Sequence, residues 1–162
     1  MKKAIQMIDE ANNIISFGLR GSYSLAHHLV ATLGEVRGNI RLIHGVGYLY
    51  PEEVNSINEG DVCIAFAFSR YVKMSVDLIY WMRKRGAKII LITDAKHVEL
   101  KDKVDILINC HIKGVSFKHS VVAPITIINY IAADLAQRNK ERSKKYLRYT
   151  EEILEQGYFS EI

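Results

Sequence analysis

Short apolar runs alternate with longer amphipathic stretches along the chain, and the alternation defines its architecture. Runs bounded by Gly, Asp or Asn fall at Asn13 to Phe17, Ile40 to His44, Val62 to Phe68, Lys88 to Thr93 and Ile106 to Cys110. They are rich in Ile and Val with little polar alternation, the pattern of strands buried on both faces of a parallel sheet. Between them the spacing predicts helices over Lys2 to Asn12, Tyr23 to Val36, Glu52 to Ile57 and Val72 to Arg85, with one or two turns at most at Lys96 to Lys101. The expected fold class is α/β: a doubly wound, five-stranded parallel sheet of order 2-1-3-4-5 with helices on both faces.

That strand order reverses between the first and third strands, and ligands of such sheets sit outside the carboxyl ends of the strands at the reversal. Two loops arrive there. Gly18-Leu-Arg-Gly-Ser22 follows the first strand, and Ala67-Phe-Ser-Arg-Tyr-Val-Lys73 follows the third. Each leads into a helix, so backbone N–H groups and hydroxyls meet the positive end of a helix dipole. The candidate anion-binding residues are Gly18, Arg20, Gly21, Ser22, Phe68, Ser69, Arg70 and Lys73. Ser22 also stands where an N-cap of the second helix belongs. Tight strand-to-helix turns alone would account for Gly18 and Gly21.

The chain has 162 residues, enough for one domain with a sizeable core. Residues 1–138 form the expected domain and residues 139–162 a helical C-terminal extension. The most apolar long stretch, Val121 to Ala136, contains Pro124, Thr126, Asn129 and Asp134 and reads as a core helix. Lys2 and Lys3 are followed by Gln6, Asp9 and Glu10 where a signal peptide needs an apolar segment, so a cytoplasmic protein is expected. Cys63 and Cys110 lie within apolar strands, and His27, His28, His44, His97, His111 and His119 lack zinc-ligand spacing. No structural metal and no cofactor are implied. The net charge of +4 arises largely in Arg138 to Arg148, where Lys140, Lys144 and Arg148 align on one helical face. A solvated basic stripe explains this, since no helix-turn-helix or zinc-finger pattern stands beside it.

At these loops the chain resembles the sugar isomerase (SIS) domain, and within it the effector domain of RpiR/MurR-type transcriptional regulators. The resemblance runs from about Ala4 to Gln137. It rests on Ala11-Asn-Asn-Ile-Ile-Ser-Phe-Gly-Leu-Arg-Gly-Ser-Tyr-Ser-Leu-Ala26, on Gly60-Asp-Val-Cys-Ile-Ala-Phe-Ala-Phe-Ser-Arg-Tyr-Val-Lys73 and on Gly86-Ala-Lys-Ile-Ile-Leu-Ile-Thr-Asp94. SIS enzymes usually carry Ser-x-Ser-Gly-x-Thr across positions 67 to 72; here Ala67 and Val72 replace two hydroxyls and Arg70 replaces the Gly, leaving Ser69. Each lost hydrogen bond to a charged group forfeits about 1.5 to 3 kcal/mol. Arg70 or Lys73 offsets this if it grips phosphate; Arg70 otherwise pairs with a carboxylate across a subunit interface. Asp94 reaches a sugar hydroxyl or caps a short helix. Ser116 and His119 precede the last core helix, which in SIS domains commonly closes the pocket.

The resemblance implies a module that binds a sugar phosphate or amino-sugar phosphate. It implies a homodimer that meets DNA only through a helix-turn-helix domain not present in these residues, and no membrane partner. The apolar helix Tyr23 to Leu33 with His27 and His28 offers a surface for pairing. No Glu/His or Lys/Glu pair concentrates in the loops as aldose–ketose isomerisation requires, so no catalytic residue is assigned. The alternatives are a stand-alone phosphosugar isomerase and a degenerate SIS module that only dimerises.

Overall fold

Strand side chains alternate between two apolar layers, and that alternation organises the molecule. The computed structural model describes residues 1–45, 50–69, 72–94, 98–115 and 117–156, with 98 and 99 described by their backbone. The strands are β1 (Ile14–Gly18), β2 (Ile40–Leu42), β3 (Val62–Phe66), β4 (Lys88–Thr93) and β5 (Ile106–Asn109). They form one parallel sheet of order β2-β1-β3-β4-β5. β1 and β3 are buried along their whole length. The helices are α1 (Lys2–Glu10), α2 (Tyr23–Gly34), α3 (Tyr50–Asn55), α4 (Lys73–Lys84), α5 (Val98–Lys101), α6 (Val122–Arg138) and α7 (Lys140–Leu154).

On one face of the sheet Ile14, Val62, Ile64, Phe66, Ile90 and Ile92 pack against α1, α2 and α6. On the other, Ile15, Phe17, Cys63, Ala65, Ile89 and Leu91 pack against α3, α4 and α5. Successive residues of a strand point to opposite faces, so each Ile- and Val-rich run feeds both layers.

Several boundaries move from their expected places for local reasons. β2 ends at Leu42 and not at His44, because the backbone N–H groups of His44 and Gly45 donate to the Glu53 carboxylate at 2.9 and 3.0 Å. β3 ends at Phe66 and not at Phe68. α3 begins at Tyr50 and ends at Asn55, two residues ahead of the expected Glu52 to Ile57. Leu25, Ala26, Leu29 and Leu33 of α2 are buried within the chain itself, which removes α2 as the apolar surface expected for pairing. Exposed apolar side chains lie elsewhere, at Tyr80 and Trp81 of α4 and at Val122 and Tyr130 of α6.

α7 is docked at the end of the sheet away from the two loops. Arg142 donates to Asp9 at 2.6 Å, and the Ser143 hydroxyl donates to the Val36 carbonyl at 3.1 Å. Lys140, Lys144 and Arg148 are exposed, the solvated stripe expected from their spacing. At the same end Arg37 is 5 % exposed and donates to the Ile8 and Ala11 carbonyls, closing the C-terminus of α1. Burial depresses its guanidinium below the usual arginine range, with Arg142 adding to the effect and Asp9 opposing it. The Arg37→Met variant is expected to lose about 1 to 3 kcal/mol for each carbonyl left without a donor. Urea denaturation followed by circular dichroism checks this.

Candidate functional site

β1 and β3 run side by side in register, Gly18 opposite Phe66, so their chains leave the sheet together. The space above their carboxyl ends is a cleft of about 760 Å3. Its lining includes Arg20, Gly21, Ser22 and Ser24 from the first loop and the start of α2, and Ala67, Phe68 and Ser69 from the second. A third wall comes from Phe117 to Val121 and Pro124, the segment entering α6.

The first loop is shaped by close approach. A Cβ on Gly18 would lie 2.3 Å from the Ser22 carbonyl oxygen, so only glycine lets the chain fold back into the 3-10 turn Arg20–Ser22. Gly18 therefore shapes the cleft from behind and is absent from its lining. Arg20 holds a left-handed backbone, φ 55°, a conformation costing an L-residue roughly 1 to 2 kcal/mol. Ser22 takes the N-cap position of α2, yet its side chain makes no capping hydrogen bond. Ser24 instead donates to the Gly21 carbonyl at 2.9 Å. The Ser22 hydroxyl thus borders the cleft at a helix N-terminus without a capping duty.

The second loop is arranged differently. The Ala67 N–H donates to Ile92 across to β4 at 3.2 Å. The Ser69 backbone N–H donates to Asp94 Oδ1 at 2.7 Å, and its hydroxyl donates to Oδ2 of the same carboxylate. Asp94 consequently tethers Ser69 and stands outside the lining. Lys73, the first residue of α4, is exposed and also absent from the lining. Arg70 and Ser116 lie outside the described residues, as do the first two residues of the stretch expected at Lys96 to Lys101.

The structure thus brings Arg20, Gly21, Ser22, Phe68 and Ser69 together and adds His119, which borders the cleft. Ser24, Ser75, Lys118 and Ser120 were missed in the sequence, although they lie within a few residues of Ser22, Lys73 and His119, which were singled out there. Both cysteines are buried. Desolvation pushes the Cys63 thiol far up and that of Cys110 to about 11, the nearby Asp94 carboxylate reinforcing the latter. Neither is a nucleophile at neutral pH. Among the described residues no group of three metal-ligating side chains occurs, and no helix is long and apolar enough to cross a membrane.

This doubly wound α/β domain carries its cleft at the strand-order reversal. Its sequence matches the SIS domain over residues 7–133, and the chain belongs to that family. No curated protein matches the sequence. Among solved structures, the sugar isomerase domain of an RpiR transcription factor from Sphaerobacter thermophilus superposes with a TM-score of 0.86 at 22 % identity, over 93 % of this chain and 84 % of that one. The Vibrio vulnificus NanR protein complexed with ManNAc-6P gives 0.80 at 16 % identity; the match covers 94 % of this chain and 59 % of NanR. A Methanococcus jannaschii protein whose structure was taken to imply 3-hexulose-6-phosphate isomerase function gives 0.73 at 13 % identity, covering 91 % and 81 %.

Arg20→Gly should raise the stability of the free protein by about 1 kcal/mol, because glycine accepts the left-handed backbone without penalty. Urea midpoints measure the effect; a destabilised variant would show that the Arg20 side chain holds the loop.

Proposed function

We propose that the chain binds a sugar phosphate or amino-sugar phosphate in this cleft and serves as the ligand-sensing domain of an RpiR-type transcriptional regulator. The observation that carries the reading is the first loop. A hydroxyl free of capping duty, an arginine and the N-terminus of α2 converge on one wall of the cleft, an arrangement that favours a phosphoryl group. Gly21, Ser22 and Arg20 take the phosphoryl end, Phe68 and Phe117 supply apolar contact, and Ser120 and His119 meet sugar hydroxyls. Residues 1–138 are the sensing unit, residues 139–162 its helical extension, and a helix-turn-helix domain outside these residues contacts DNA.

The likeness to the RpiR and NanR structures supports the regulator, and the NanR complex shows a sugar phosphate held by a protein of this fold. The second reading, a phosphosugar isomerase, draws on His119 at the cleft and on the likeness to the Methanococcus jannaschii protein. Against it, the described lining sets no carboxylate beside His119 to complete an acid–base pair. Interconversion of aldose and ketose phosphates by the purified chain would decide for the enzyme.

A phosphosugar that binds is expected to raise the melting temperature while its unphosphorylated parent does not. At about one hundred times the dissociation constant the stabilisation is roughly 2.7 kcal/mol. Ser22→Ala should diminish the shift yet leave the free protein's melting temperature nearly unchanged, since no cap bond is lost. No shift across hexose, hexosamine and N-acetylmuramic acid phosphates would favour a module that only dimerises. The functional unit is a homodimer that covers the exposed Tyr80 and Trp81 of α4. Light scattering at micromolar concentration should give twice the monomer mass, and a monomer mass would refute the pairing.

A further inference from the structure

The second loop presents an unusual allocation of donors. A serine residue offers two hydrogen atoms to an anion, its backbone N–H and its hydroxyl O–H. At Ser69 both go to one carboxylate, Asp94 Oδ1 taking the N–H at 2.7 Å and Oδ2 taking the hydroxyl. The sheet enforces the encounter. Phe66 and Ile92 are paired across β3 and β4, the Ala67 N–H continues the ladder to Ile92, and Ser69 and Asp94 follow within a few residues. A two-oxygen anion gripped by one N–H and one O–H at the mouth of an α/β sheet is the geometry expected of a bound phosphoryl group. Here the anion belongs to the chain.

We infer that Asp94 is a specificity-determining residue that withholds Ser69 from phosphate: its carboxylate occupies both anion donors of Ser69 and repels a second anion from them. This rests on the reading of the cleft as an anion site. Two consequences follow from charge. A phosphate monoester can use Ser69 only by displacing Asp94; otherwise its phosphoryl end rests on other donors of the cleft, Arg20, Gly21 and Ser22 among them. Small anions, which gain nothing from contacts elsewhere in the cleft, pay the whole of the repulsion, whereas a sugar phosphate recovers it through its sugar. Asp94 therefore discriminates against inorganic phosphate, a repulsive element in the site's selectivity.

The test is titration of inorganic phosphate by calorimetry into the wild-type chain, Asp94→Asn and Asp94→Ser. Asn keeps the size and one acceptor but removes the charge; Ser removes the reach as well. Both variants are expected to bind phosphate about tenfold or more tightly than the wild type, since a like charge within contact distance is lost. Adding Ser69→Ala to Asp94→Asn should reduce the gain, because the hydroxyl donor is lost while the backbone N–H and the relieved repulsion remain. Unchanged or weakened phosphate binding in the neutral variants overturns the inference. So does loss of folding in both, which would give Asp94 a structural role. Phosphosugar binding by the wild type without any gain in the variants contradicts the inference and leaves the proposed function standing. A gain for phosphate in a chain that ignores every phosphosugar does the reverse.

Discussion

A five-stranded parallel sheet must be covered on both faces, and the chain achieves this only by reversing the direction in which it adds strands. After β1 it moves outward through α2 to β2, then returns across the opposite face to place β3 on the other side of β1. Right-handed crossovers make the reversal open a crevice at the carboxyl ends of β1 and β3. The candidate site depends on that crevice, because it sets two loops and the entrance to α6 around one space. The apolar layers supply rigidity. Phe17, Ile64, Phe66, Ile90 and Ile92 are fully buried directly beneath the loops, so the loop ends inherit fixed positions.

The loops differ in how they use polar groups. The first, over Gly18 to Ser22, spends backbone freedom: a glycine that tolerates a 2.3 Å approach and an arginine held at positive φ leave the Ser22 hydroxyl uncommitted. Strain at a binding loop is a recurrent feature of functional sites. The second spends its hydrogen bonds internally, tying Ser69 to Asp94 and Ala67 to Ile92. The departures at Ala67 and Val72 have the same consequence, since both leave apolar groups on the β3 side of the cleft. The uncommitted hydroxyl at the described cleft thus lies on the β1 side.

Much of the fold was legible because β strands buried on both faces need uninterrupted apolar runs. β4 begins and ends at Lys88 and Thr93 as its run does, and the sheet order follows from the alternation with helices. Ends set by tertiary contacts were not legible, as when Glu53 captures the N–H groups that would have extended β2. The candidate site was legible as a pair of loops. The sequence also located Ser22 at the helix start, but position does not disclose whether a hydroxyl caps. The grip of Asp94 on Ser69 joins residues 25 apart through strand register, which no local pattern encodes. The inward turn of α2 likewise depends on α6 covering it, and α6 begins some ninety residues later in the chain.

The central claim is that a phosphorylated ligand is held where the two loops converge, with its phosphoryl group on the first. Hydrogen–deuterium exchange of the backbone amides, with and without a phosphosugar that raises the melting temperature, tests that location directly. The account predicts slowed exchange across residues 18–23 and 117–121, with the strongest protection in the turn containing Gly21 and Ser22. Protection confined to α7 or to the outer faces of α4 and α6, with the first loop unchanged, would contradict it.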